Sequence, residues 1–189
     1  NHFADLNAVP RPSKKEERVI AFMKQFGEKS GLTTIVDEVG NVIIKKSATA
    51  GMENRKPIVM QSHLDIEKKK NNDTIFDFDT QGIEMYVDED WVRANGTTLG
   101  ADNGIGVATI MAVLASKEIV HPAIEALFTI DEETGMTGAM GLKGGLLSGE
   151  ILLNLDTEED DEIDIGCAGG VDVTARAERA KAYFLDGYN

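Results

Sequence analysis

Apolar positions along this chain recur with two different periods. Val19, Ile20, Met23 and Phe26 share one helical face, which ends near Gly31. Ser13 followed by Glu16 fits a capping box opening that helix. Residues 33–36 and 42–44 are short β-branched runs around Gly40-Asn41 and predict a strand pair. Residues 57–60 are a short apolar run that predicts a buried strand delivering His63 and Asp65 at its end. Residues 66–81 are polar, aperiodic and predicted to be an exposed loop, and residues 82–94 read as a second hairpin about Asp88-Glu89-Asp90.

Between 105 and 115 apolar residues fall nearly all round a helix, so burial on most sides is expected, as for a helix packed on a sheet. Residues 123–130 read as another strand, and 136–147, rich in Gly and Met, as partly helical. Residues 150–155 predict a parallel core strand, apolar on both faces. An acidic loop at 158–162 and the start of a further strand at 163–167 follow, and after Gly170 the signal fades. Helical and strand signals alternate, which predicts the α/β class in one domain of ordinary size.

Charge and composition narrow the function. The 189 residues carry 33 Asp and Glu against 19 Lys and Arg, a formal charge of −14. That argues against a nucleic-acid or anionic-membrane partner and is compatible with cations held among carboxylates. No stretch is apolar enough to span a membrane, and Asn1-His2-Phe3 predicts no secretory leader. The one cysteine, Cys167, has no partner for an internal disulfide and suits a reducing compartment. It reads as a buried structural thiol rather than a nucleophile.

Four segments place acids or a histidine at a strand end or tight turn. They are Gln61-Ser62-His63-Leu64-Asp65, the glycine-dense run Gly96 to Gly106 with Asp102 in it, Asp131-Glu132-Glu133, and Asn154-Leu155-Asp156. In His-x-Asp, one carboxylate can hold the ring N–H while the other nitrogen stays free for a metal. Adjacent Glu132 and Glu133 diverge, so one can bind metal while the other moves a proton. Asp156 follows a mostly apolar run, where an uncompensated charge would be expensive. In open α/β sheets ligands sit beyond the carboxyl ends of strands. One imidazole with several carboxylates and no thiolate suits Zn²⁺, Mn²⁺ or Co²⁺.

These residues carry a resemblance. Gln-Ser-His-Leu-Asp, Gly-Thr-Thr-Leu-Gly-Ala-Asp-Asn-Gly-Ile-Gly, Thr-Ile-Asp-Glu-Glu-Thr-Gly-Met-Thr-Gly-Ala and Asn-Leu-Asp-Thr-Glu-Glu resemble, in order and spacing, the aminoacylhistidine dipeptidases. These are also called Xaa-His or cytosolic nonspecific dipeptidases. They belong to the di-zinc exopeptidases that include carboxypeptidase G, aminotripeptidase and aminoacylase. Asn-Ala-Val-Pro-Arg-Pro-Ser and Cys-Ala-Gly-Gly point to the dipeptidase branch.

The resemblance implies a three-layer α/β/α catalytic domain with a mixed, mostly parallel sheet, of which residues 1–189 are the N-terminal part, without the lid. It implies that His63 binds the first metal and Asp65 orients it. Asp102 bridges two Zn²⁺ ions, Asp156 completes the first site, and Glu133 binds the second. Glu132 is then the general base toward a di-metal-activated water, and Asp102–Asn103 a cis peptide. Dipeptides, Xaa-His and carnosine-like ones foremost, are the implied substrates. The alternatives are a tripeptidase, an N-acyl-amino-acid deacylase or a non-catalytic metal-binding domain. A cytoplasmic location and a homodimer formed through the lid are implied for the complete protein. The family's second metal-binding histidine and lid have no counterpart here, so this piece alone is expected to be inactive. His2 and His121 lie outside the motifs, and His121 is expected to be structural or solvent-facing.

Overall fold

The computed structural model describes residues 2–157, 162–166, 169, 171 and 173–177. The chain divides into two units, Asn1–Glu158 and Glu159–Asn189. Every helix and strand among the described residues lies in the first unit. In chain order these are α1 (His2–Asn7), α2 (Glu17–Lys29), β1 (Thr33–Val36), β2 (Val42–Lys46) and β3 (Ile58–His63). Then come β4 (Met85–Asp88), β5 (Trp91–Ala94), α3 (Ala101–Ala115), β6 (Ile124–Thr129), α4 (Thr137–Gly141) and β7 (Ile151–Asn154).

Five strands form a mixed sheet in the order β1-β2-β6-β3-β7, with β1, β2 and β6 antiparallel and β6, β3 and β7 parallel. Strand alternation divides the apolar residues between two faces. Val42, Ile44, Met60, Ile124, Ala126 and Phe128 pack with residues of α1, α2 and α3, among them Leu6, Met23 and Ile110. Ile43, Val59 and Leu127 point to the other face, against Leu142, Leu146 and Leu147. β6 is buried along its whole length, and β3 beside it and β7 beyond β3, both parallel to it, end on the same side of the sheet.

Glu125 fastens the crossing from α4 to β7. Its carboxylate accepts the N–H groups of Ser148 and Gly149, at 2.7 and 2.8 Å, and pairs with Lys45 at 2.7 Å. Burial pushes this carboxyl up, but Lys45 and the two amides outweigh it and hold it below the ordinary glutamate range. Glu125→Ala should therefore cost about 1.5–3 kcal/mol in a denaturant titration, the range for hydrogen bonds to a charged group. With its folded pKa depressed, the glutamate's contribution is complete above the ordinary pKa and lost as pH falls through the folded one. Glu125→Gln should accordingly flatten the acid side of the stability curve.

Several expectations are corrected. β7 is parallel, as its apolar run suggested, but lies at the sheet edge with Ile151, Leu152 and Leu153 exposed. It pairs only with β3 among the described strands, so position in the sheet, not composition, sets its burial. Residues 66–81 are not wholly exposed. Ile66 and Phe78 are buried with Ile83 in a small second core, because the loop folds back on the β4–β5 hairpin. α3 is buried on one side but leaves Ile105, Thr109 and Ala112 outward, because the sheet and α1 pack on its opposite side. Residues 163–166 form no strand, having no partner ladder among the described residues, and Cys167 lies outside them. No helix among the described residues is long and apolar enough to cross a membrane.

Candidate metal centre

β3, β6 and β7 carry three of the four chemical segments to one edge, and the entry of α3 brings the fourth. His63, the last residue of β3, is 1% exposed and acts as the pivot. Its Nε2 lies 3.0 Å from Asp102 Oδ1, 3.7 Å from Asp156 Oδ1 and 3.8 Å from Glu132 Oε2. Donor atoms of His63, Asp102 and Glu133 all fall within 4.8 Å of one another. All six residues named from the sequence are thus gathered in one place. His121 is not among them. It is buried, with Nδ1 2.7 Å from the carbonyl of Pro122, and is structural.

Asp65 lies beyond the last residue of β3, yet its Oδ1 stands 3.3 Å from His63 Nδ1. The same fully buried carboxylate accepts the N–H of Glu132 at 3.0 Å, the N–H of Glu133 at 3.2 Å and the hydroxyl of Ser13 at 2.8 Å. In the neutral ring, an acceptor at Nδ1 fixes the tautomer whose Nε2 lone pair faces the other acids. Asp65 therefore orients the imidazole and holds the acid-bearing turn at once.

The Asp102–Asn103 peptide is cis. Asn103 is 3% exposed, and its Nδ2 donates to Leu155 O at 2.8 Å and to Asp156 Oδ1. The residue after Asp102 thus sets the position of Asp156, 53 residues further on. Gly100, at φ +70°, and Gly104 make room beneath this turn for the guanidinium of Arg11. Arg11 is 1% exposed and donates to Leu64 O, Asp65 O, Asn7 Oδ1 and Gly100 O. It ties the exit of β3 to the entry of α3, and so His63 to Asp102. Burial pushes its pKa down to about 10, against the pull of Asp65, Asp102 and Glu133.

The electrostatics favour a cation. Glu132 is raised above the ordinary glutamate range by burial and by Asp156, Asp65 and Asp102, with His63 opposing. Glu133 is raised by burial and by Asp102, Glu132 and Asp65. Burial pulls His63 down, but Asp65, Asp156 and Asp102 outweigh it and lift the ring to about 9. Crowded carboxylates with one oriented imidazole are a nitrogen and oxygen donor set suited to a divalent ion.

Sequence reasoning missed Arg11, Ser13, Glu16 and Asn103. Ser13 and Glu16 read as a capping box, but neither caps α2, whose N-terminus has no side-chain cap. Both are instead committed to the site through Asp65 and Asp131. A basic residue between two prolines in an acidic chain was the one available signal for Arg11.

No family model matches the chain. Over 173 residues, 92% of its length, it is 51% identical to the cytosol non-specific dipeptidase of Escherichia coli K12 and covers 36% of that protein. Its fold matches the aminoacylhistidine dipeptidase of Vibrio alginolyticus with a TM-score of 0.82 and 52% identity, over 84% of this chain and 32% of that one. An aminopeptidase from Bacillus cereus aligns with a TM-score of 0.70 and 25% identity, over 83% and 42% of the two chains. The chain thus spans about a third of the length of the two dipeptidases. Over most of its own length it is related in sequence and fold to the cytosol non-specific and aminoacylhistidine dipeptidases, and it has the mixed sheet and helices of their catalytic domain.

Proposed function

We propose that residues 1–189 are the N-terminal part of the catalytic domain of a metal-dependent dipeptidase. The observation that carries this reading is the convergence of His63, Asp102 and Glu133, with Asp156 and Glu132 beside them, in a chain half identical to a dipeptidase. His63, Asp102, Glu133 and Asp156 would hold two divalent ions, Zn²⁺ foremost with Co²⁺ or Mn²⁺ as alternatives, and Asp102 would be shared. Bound there, such ions supply Lewis acidity to the peptide carbonyl and lower the pKa of the attacking water.

This chain's own residues do the rest. Asp65 keeps His63 Nε2 turned toward the acids. Asn103 keeps Asp156 in place. Glu132 takes the proton from the water and passes it to the leaving amine, a task suited to a carboxylate raised by its surroundings. Retention of both Glu132 and Asp102 disfavours a non-catalytic metal-binding domain.

Dipeptides, with Xaa-His and carnosine-like ones preferred, are the proposed substrates, in the cytoplasm. A tripeptidase or N-acyl-amino-acid deacylase is the alternative. The second metal-binding histidine, the lid and a dimer contact through it would come from the rest of the complete protein. The test is a panel of Xaa-His dipeptides, tripeptides and N-acyl amino acids given to the complete protein, with calorimetry of Zn²⁺ against Ca²⁺. Dipeptide turnover and preference for Zn²⁺ are expected, with no turnover by residues 1–189 alone. Cleavage confined to tripeptides or acyl substrates, or a preference for Ca²⁺, would reject the assignment.

A further inference from the structure

We propose that Glu16 is a positioning residue for the acid-bearing turn, gripping the backbone of Asp131 so that Glu132 and Glu133 point to separate tasks. This rests on the roles given to those two glutamates above.

Three consecutive amides, at 131, 132 and 133, donate to buried carboxylates. Asp131 N–H donates to Glu16 Oε1 at 3.0 Å, and the next two donate to Asp65 at 3.0 and 3.2 Å. Glu16 is 4% exposed and Asp131 2%. Asp131 sits at φ +53°, a left-handed conformation uncommon outside glycine and one that Asp adopts more readily than most residues. Its side chain is occupied too, accepting the hydroxyls of Thr134 and Thr137.

The chain has just left β6, where the ladder with β3 stops at Thr129. From there no strand partner satisfies the amides, and a buried N–H left unmade is costly. Carboxylates at 16 and 65 take over from the ladder. Since the turn is held by its backbone, the side chains of Glu132 and Glu133 are left free for chemistry. Adjacent side chains depart from one backbone at a fixed divergence, so a small rotation at 131 would misplace both. A displacement of about 1 Å can cost 10²-fold in rate.

Reach and charge at position 16 are separable. Glu16→Gln keeps an acceptor oxygen at the same reach without the charge. Glu16→Asp keeps the charge but withdraws the oxygen by one methylene. In the complete protein, Glu16→Gln should stay within about threefold of the parent kcat. Glu16→Asp should lose at least tenfold in kcat with KM within twofold and zinc content unchanged. The opposite order, Asp active and Gln inactive, would make Glu16 a source of charge and overturn the proposal. Equal kcat in both, with only the melting temperature moved, would reduce Glu16 to a structural residue and overturn it as well. Glu132→Gln run beside them separates the two layers: if it stays active, the role of Glu132 falls, whatever happens at position 16.

Discussion

Glu132→Ala in the complete protein should lower kcat by about 10²–10⁴-fold, the range of a general base, while zinc content stays at the parent level. Glu132 is tied to the fold through its main chain, by N–H donation to Asp65, so removing its side chain leaves that anchor intact. Its carboxylate is about a third exposed and stands 3.8 Å from His63 Nε2, close enough to reach a reacting group beside the proposed metal donors. Glu133, whose donor atom falls in the same 4.8 Å group as His63 and Asp102, gives the contrast. Glu133→Ala should lose both zinc and activity. Kinetics with metal analysis on the two variants is the check. Full activity in Glu132→Ala, or zinc lost together with activity, would move the base elsewhere.

Gly106→Ala should cost about 2–3 kcal/mol, as overpacking of a tight interior does, and should weaken zinc binding at least tenfold. A Cβ at position 106 would stand 2.0 Å from Asn103 Oδ1, 2.4 Å from Ser62 Oγ and 2.7 Å from Leu155 O. The third contact is backbone and cannot rotate away. It is also the carbonyl that Asn103 Nδ2 binds, next to Asp156. One methyl group therefore pushes on the amide that holds Asp156 and on the chain that carries it. Gly144, with nothing within 4 Å of an added Cβ, is the control, and Gly144→Ala should be silent. Thermal melts and zinc calorimetry read both effects. A Gly106→Ala protein with parent stability and affinity would show that the α3 entry and the β7 exit adjust independently.

Much of this site was legible along the chain. Acids and a histidine after apolar strand runs, and an acid in a glycine-dense turn, mark places where an uncompensated charge would be costly. The patterns at 33–36, 42–44 and 123–130 are short because strands are short, and they became β1, β2 and β6. Asp65 was legible as the partner of His63, since His-x-Asp places two groups close in space. Its second duty, on the amides of 132 and 133, was not, because those amides are 67 and 68 residues away.

By itself, the sequence determined which residues seek burial, the period with which they do so, and which side chains could hold a cation. Those are local properties, carried by each residue's own chemistry and by the spacing of its neighbours. Only the tertiary structure decided that β7 lies at an edge, that Ile66 and Phe78 close a second core, and that the glycines at 100 and 104 admit Arg11. It also turned a capping-box pattern at 13 and 16 into support for Asp65 and Asp131. Which amide loses its ladder partner, and which carboxylate is close enough to replace it, depends on segments more than a hundred residues apart meeting in space. No period or spacing along the chain records that meeting.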